Sequence, residues 1–394
     1  MVPDLRRYRA DFPLLQRRIE GRPVVYLDSA ATALRPQRVI EGVLRYYTQC
    51  TANVHRAVHQ LSEEATQEFE NARERIARFI GAEAREIAFV RHATEALNLV
   101  ANSLPDGAVV AVADAEHHSN LLPWRRNPVL RLAVGNDGGV ELDQATAGLR
   151  ARPPVLLTLS PVSNALGTRQ PVADLVGLAR ELGAAVMLDV SQCIGHEPVD
   201  VMELDCDYLC FSGHKMMGPG GVGVLYVRGG CEGKLRPLLV GGSMVLNVGV
   251  EDHELQAFPW CLEAGTPNIE GVLGLAEACR YLDEIGLREI AEHNQALSLG
   301  LRAGLSEIPR VTIHSGAEAA AITSFSLAGL PAHGVARLLS NRHSIMVRSG
   351  YHCAQPLHQI ANLPESVRVS VHLYNTPEEI RACVDAIAMV ARMP

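Results

Sequence analysis

The chain has 394 residues, enough for two or three structural units around a large core. Hydrophobic residues make up 47% and charged residues 20%, and 44 acidic against 36 basic side chains give a net charge of −8, which does not concentrate polyanions and argues against nucleic-acid binding as a main activity. No apolar run reaches the roughly 18 residues of a membrane span, MVPDLRRYRA at the N-terminus lacks a signal peptide's apolar stretch, and nine irregularly spaced cysteines argue against a disulfide framework; the chain reads as cytoplasmic, with reduced thiols.

From about residue 85 short apolar runs alternate with amphipathic stretches. EIAFV (Glu86 to Val90) predicts a buried strand, followed by a helix over TEALNLVANSL with Leu97, Val100 and Leu104 on one face. AVVAVA (Ala108 to Ala113), VLRLAV (Val129 to Val134) and VLLTLS (Val155 to Ser160) predict further strands. PVADLVGLARELG reads as a helix with proline at its first turn and glycine after its last. AAVMLD, CDYLCF and GVGVLYV continue the strands. Doubly apolar strands separated by helices imply a mostly parallel sheet covered on both faces, with ligands at the strands' carboxyl ends. After about residue 265 two long helical patterns (Asn268 to Ile285, Leu287 to Ile308) precede strands at Val311 to His314, Ala321 to Leu327, Ser344 to Val347 and Val367 to Val371, with helices near His333 to Asn341 and from Thr376. That pattern is a smaller α+β unit, with which the first twenty or so residues are expected to pack.

What ends each strand of the larger unit is informative. His117 follows one strand, Asn164 another, Asp189 and Gln192 a third, and Ser212, His214 and Lys215 a fourth. Singly, an aspartate at a strand end is a turn residue and a lysine in a glycine-flanked loop is solvated. Together they bring a histidine, an amide, a carboxylate and a lysine to one rim, where a buried carboxylate needs a cation. Fifteen histidines raise the question of metal, but His55/His59 and His117/His118 lack a zincin glutamate or a CxxC partner, so no metal site is expected. The GPGGVG run from Gly218 lacks the strand–turn–helix order of a dinucleotide site and reads as a turn into a strand.

The series TEAxN, EHHSN, VSNALGT, LDVSQ, FSGHKMMGPGG, EAGTPN and RSGYHCAQPL, with YLDSAATA and NVHRAVHQLS before it and SVHLYNTPEE after, resembles the pyridoxal-phosphate-dependent cysteine desulfurases of the class V aminotransferase family, nearest their group II branch, which includes selenocysteine-lyase-like enzymes. The resemblance runs in order along essentially the whole chain. It implies an α/β, type I PLP-dependent transferase fold with a seven-stranded, mostly parallel sheet flanked by helices. A large cofactor-binding domain would span 22–264, and 1–21 plus 265–394 would form the small domain carrying the cysteine loop and the substrate arginine. It further implies a homodimer with each active site at the subunit interface.

By that resemblance Lys215 is the Schiff-base lysine and moves the substrate's α-proton, a task that burial and cationic neighbours favour by deprotonating its amine. Asp189 pairs with the protonated pyridine nitrogen, Gln192 bonds the phenolic oxygen, His117 stacks on the ring, and Asn164 lies near the phenolic oxygen and incoming amine. Thr94 at a helix start, beside Ala93, binds the phosphate together with Ser212 and His214; Thr266 reaches the phosphate of the neighbouring subunit. Arg368 clamps the substrate carboxylate, with His55 and Arg348 also lining the substrate site. Cys353, in a polar loop with Arg348 and His352 placed to favour its thiolate, attacks the sulfur of L-cysteine, leaving a persulfide and releasing L-alanine. The persulfide sulfur would pass to an acceptor protein serving iron–sulfur-cluster or other sulfur biosynthesis. The chain departs from the family pattern at Ala93, where a phosphate hydroxyl is usual, at His92, where glycine is usual, and at Pro161 and Tyr351. Two alternatives stay open: a selenocysteine lyase or carbon–nitrogen-bond enzyme of the same fold in which Cys353 is dispensable, acting on L-selenocysteine or another substrate, and a non-catalytic partner in a sulfur-transfer assembly, against which Lys215 argues.

Overall fold

The computed structural model describes residues 3–393; positions 1, 2 and 394, assigned by sequence to the smaller domain, lie outside the described residues. Seven strands build the central sheet: β1 (Ile87–Val90), β2 (Val110–Ala113), β3 (Val129–Leu132), β4 (Leu156–Leu159), β5 (Ala185–Asp189), β6 (Tyr208–Ser212) and β7 (Gly223–Val227). Their spatial order is β1-β7-β6-β5-β4-β2-β3. β7 pairs antiparallel with both β1 and β6, and the remaining pairings are parallel. Every residue of β1, β2, β4, β6 and β7 is buried, which explains why these strands read as unbroken apolar runs. Parallel strands require crossovers, so the chain leaves β2, β4, β5 and β6 on the same rim.

The longer helices are α1 (Gln37–Gln49), α2 (Gln60–Phe79), α3 (Ala93–Ser103), α4 (Leu142–Ala151), α5 (Val172–Glu181), α6 (Ile269–Ile285), α7 (Leu287–Ser306), α8 (Ala332–His343) and α9 (Pro377–Ala391). A second, antiparallel sheet contains β8 (Val311–Ile313), β9 (Ile322–Leu327), β10 (Arg348–Gly350) and β11 (Ser366–Ser370) in the order β8-β9-β11-β10. In β11, Val367 and Val369 enter the smaller core while Arg368 faces the other way. The strand expected at Ser344 to Val347 is divided: Ile345–Met346 pairs parallel with Val25–Tyr26, and the chain then crosses into β10.

The hydrophobic cores cut across the division at 21/22 and 264/265. Helix α6 packs on α1 and α2, and its Ile269, Val272, Leu275 and Leu282 join the core of the large sheet. Val25 and Leu27 instead join the smaller core with Val335, Leu339 and Ile387. Helical periodicity shows that α6 buries a face, but not against which partner. The N-terminal segment bridges the two units. Phe12 is fully buried, with its ring centroid 6.1 Å from Tyr281 and 4.7 Å from Tyr374, while Arg9 pairs with Glu379 on α9 at 2.6 Å.

Phe12→Ala is expected to cost about 3–5 kcal/mol, because it removes an aromatic ring from a site sealed on both sides. Urea denaturation measures this; a loss below about 1 kcal/mol would show that the segment is not part of the core.

Candidate active site

A cavity of about 430 Å³ opens where the carboxyl ends of the large-sheet strands meet the smaller sheet. It is lined by Ala93, Thr94, His117, Asn164, Asp189, Gln192, Ser212, His214, Lys215, Arg348, Cys353 and Arg368. His55 and Thr266 are not brought to it. His55, Gly265 and Pro267 line a separate cavity of about 380 Å³, and Thr266 is exposed between the last two.

Lys215 closes a tight turn, Gly213–Lys215, directly after β6. Gly213 has no room for a side chain, since a Cβ there would stand 2.9 Å from the Val222 carbonyl oxygen. Burial pushes the Lys215 amine below its ordinary pKa, against the opposing pull of Asp189. Asp189 is 7% exposed; one carboxylate oxygen accepts from the Ser191 N–H at 3.0 Å. Gln192 donates through Nε2 to the Ala30 carbonyl at 3.1 Å. His117 Nδ1 accepts from the Ser119 N–H at 3.1 Å, and burial, reinforced by Lys215, lowers the ring's pKa to about 4, leaving a neutral imidazole with its proton on Nε2. The same two causes lower His214 to about 4.

One end of the cavity is built for an anion. Helix α3 starts there, the Ala93 N–H donates to Ser212 Oγ at 3.0 Å, and Thr94 Oγ1 lies 2.8 Å from Ser119 Oγ. Ser119 therefore places a hydroxyl beside Thr94, where Ala93 lacks one. His92 caps the helix, its Nδ1 accepting from the Glu95 N–H at 3.3 Å.

At the other end Arg368, 2% exposed, donates to the Asn164 carbonyl at 2.7 Å and to Asp28 Oδ1 at 3.3 Å, while its Nε–H has no partner among the described residues. Asp28 also lies 4.0 Å from Arg348. The Cys353 loop is tied to the large-sheet rim at two points: Asn164 Nδ2 donates to the His352 carbonyl at 2.6 Å, and the His118 N–H donates to the Cys353 carbonyl at 2.9 Å. His352 and Cys353 have φ of 52° and 59°, a left-handed conformation costing non-glycine residues about 1–2 kcal/mol each, which these bonds help to hold. His352 does not supply the positive charge assigned to it from sequence. It is buried, its Nε2 lies 2.9 Å from Ser366 Oγ, and burial together with Arg368 pushes its pKa far down, so it is neutral. The cationic side chains that share the cavity with Cys353 include Arg368, Arg348 and Lys215.

Sequence reasoning missed Ser119 and Ser191, which line the cavity, and Asp28, which holds Arg368. Asp28 lies inside YLDSAATA, and Ser119 lies inside EHHSN, two residues from His117. Ser191 and His352 line the cavity, and Ser191 Oγ and His352 Nδ1 are buried polar atoms without partners among the described residues, a property no spacing reveals.

A profile of the class-V aminotransferases matches residues 25–383. A cysteine desulfurase of Salmonella agona (strain SL483) is 39% identical, with the whole of both chains covered. Among solved structures, the apo cysteine desulfurase of Thermococcus onnurineus NA1 matches with a TM-score of 0.93 and 36% identity over 100% of this chain and 98% of its own. The cysteine desulfurase CsdA of Escherichia coli, in an S-sulfonic acid form, matches with a TM-score of 0.90 and 33% identity over 99% of each chain. Among the described residues no helix is long and apolar enough to cross a membrane, and no cluster of three or more His, Cys, Asp or Glu could hold a metal.

His117, His196 and His214 each have a pKa lowered to about 4, so the unfolded chain, titrating near 6.5, binds more protons than the folded one between those values. Stability must therefore fall as pH drops from about 6.5 to about 4. Glu116, raised to about 7, acts in the opposite sense, as do Asp28, Asp283 and Glu379, also raised by burial, but burial lowers six further histidines as well. Urea midpoints should be lower at about pH 5 than at about pH 7; an equal or higher midpoint at the lower pH would show that these histidines are not held neutral.

Proposed function

Since the chain belongs to the class-V aminotransferase family, we propose that it is a pyridoxal-phosphate-dependent cysteine desulfurase. It converts L-cysteine to L-alanine and holds the sulfur as a persulfide on Cys353. The observation carrying this reading is that Lys215, Asp189, Arg368 and Cys353 face one cavity. The full-length likeness to proteins named cysteine desulfurase supports it.

The donor set fits the cofactor part by part. Thr94, Ser119 and Ser212 at the start of α3 suit a phosphate, Asp189 suits a protonated ring nitrogen, and the half-buried amine of Lys215 suits a carbonyl carbon. Pyridoxal phosphate, when bound, supplies an electron sink that labilises bonds at the substrate's α- and β-carbons. Neutral His117 would hold the ring, and Gln192 and Asn164, which line the same cavity, would serve its phenolic oxygen. Arg368, fixed by Asp28 and the Asn164 carbonyl, keeps its Nε–H for the substrate carboxylate. The Lys215 amine, its pKa lowered by burial, accepts and returns a proton at the α-carbon. Cys353 Sγ forms a bond to the substrate sulfur as the carbon–sulfur bond breaks; the thiol proton is conserved, so cysteine plus thiol gives alanine plus persulfide. An acceptor protein then takes the terminal sulfur.

A two-domain organisation and a homodimer belong to the same reading. Val58, Val240, Leu246, Val248 and Val250 are exposed, the last three on or beside the hairpin Val245–Val248/His253–Leu255. Apolar side chains so exposed call for cover. His55 and Thr266, which do not line their own chain's Lys215 cavity, would then serve the partner's. Nine free cysteines fit a cytoplasmic protein.

Wild-type protein should be yellow, and borohydride should fix the cofactor to the chain; Lys215→Ala should lose that link. Cys353→Ser should still bind pyridoxal phosphate and respond spectrally to L-cysteine, but lose most alanine release, since a hydroxyl is a poor sulfur nucleophile. Full alanine release from Cys353→Ser would move the assignment to the lyase or carbon–nitrogen alternative. Light scattering should report twice the 42.6 kDa chain mass; an active monomer would remove His55 and Thr266 from the site.

A further inference from the structure

We infer that Glu116 is a positioning residue that clasps the loop carrying His117 to the loop carrying Asn164 and so fixes both sides of the cofactor pocket relative to one another, an inference that rests on the cofactor reading above. Glu116 is 3% exposed, and no cation pairs with it among the described residues. It directly precedes His117. Its Oε1 accepts from the Ser160 N–H at 2.6 Å, and its Oε2 accepts from the Ser160 hydroxyl at 2.5 Å and from Asn120 Nδ2 at 2.8 Å. Ser160 begins the segment that leads from β4 to Asn164.

The carboxylate is specified by its partners. Asn120 Oδ1 accepts from Thr158 Oγ1 at 2.7 Å and from Trp124 Nε1 at 3.1 Å, so the amide cannot turn over and must present its NH₂ to Glu116. Ser160 presents a backbone donor and a hydroxyl. A fully buried carboxyl without a cation is costly, and burial, then the nearby Asp189 charge, pushes its pKa up to about 7. A neutral side chain would be the cheaper way to fill this space, whereas a carboxylate accepts all three donors at once. The clasp reaches further than its own two loops. The Asn164 carbonyl holds Arg368, and the Asn164 amide holds the His352 carbonyl beside Cys353.

The test is titration of cofactor-free protein with pyridoxal phosphate, read by visible absorbance and by circular dichroism of the bound cofactor. Glu116→Gln, in either orientation of its amide, sets an NH₂ against a donor, the Ser160 N–H or the Asn120 NH₂, and should raise the dissociation constant about tenfold and alter the dichroism. Thr158→Val removes one hydrogen bond on the far side of the same network; it should lower the melting temperature while leaving affinity and dichroism as in the wild type. Wild-type affinity and dichroism in Glu116→Gln overturn the clasp, as do equal changes in Thr158→Val, which would mark the network as merely structural. If Glu116→Gln does not fold, Ser160→Ala decides: a weaker affinity in the same direction supports the clasp, and an unchanged one overturns it. A wild type that takes up no pyridoxal phosphate overturns the cofactor reading and the clasp's purpose with it, whereas normal wild-type uptake alongside an indifferent Glu116→Gln overturns the clasp alone.

Discussion

A guanidinium sealed from water fixes the geometry of this protein. Arg368 sits on an inner strand of the smaller sheet, and its charge needs acceptors that this sheet does not supply. They come from Asp28, on the segment that crosses between the units, and from the Asn164 carbonyl on a loop of the large sheet. Satisfying Arg368 therefore brings the two sheets together along one rim and leaves a cleft between them. Removing Asp28 would strand a buried cation, a larger loss than that of a surface ion pair. The unpartnered Nε–H points to what the cleft is for, a carboxylate arriving from outside.

The rest of the cleft is kept short of positive charge. His117, His214 and His352 are all held neutral by burial, so their imidazoles act through shape and hydrogen bonding. Charge at the cavity comes from Lys215, Asp189, Arg348, Arg368 and Arg91, the last paired with Glu95. Protonating any of these histidines would add a cation beside Lys215 or Arg368 and oppose both the lysine's chemistry and the arginine's grip. The Cys353 loop follows the same logic of attachment. Two backbone carbonyls, accepting from Asn164 and His118, hold two left-handed residues in place and keep the thiol at the cavity wall. Asn164 thereby links the substrate clamp, the nucleophile loop and, through Ser160, the Glu116 network.

Much of this was legible in the chain itself. Strands buried on both faces announce themselves as unbroken apolar runs, and the side chains that follow β2, β4, β5 and β6 had to converge once the sheet was parallel. The alternation in SVRVSVH put Arg368 opposite Val367 and Val369. What was not legible depends on partners distant in sequence. The face of α6 is apolar whichever core it joins, and only packing against α1 and α2 places it with the large sheet. The hairpin at Val245–Val248 carries its apolar side chains outward, so no inward-facing alternation marks it. His352 looked like a cation beside Cys353 because spacing reveals neighbours but not burial, and burial decides its charge. Ser119 was hidden by position: its hydroxyl serves the site only because the loop after β2 folds back onto the start of α3.

The central claim is that sulfur leaves the substrate onto Cys353. It is tested most directly by mixing the protein with one equivalent of L-cysteine, quenching without reductant, and weighing the Cys353-containing peptide by mass spectrometry. The account predicts that this peptide alone is one sulfur atom heavier, in step with the alanine released. Alanine formed while Cys353 stays unmodified, or sulfur found on another cysteine instead, would contradict it.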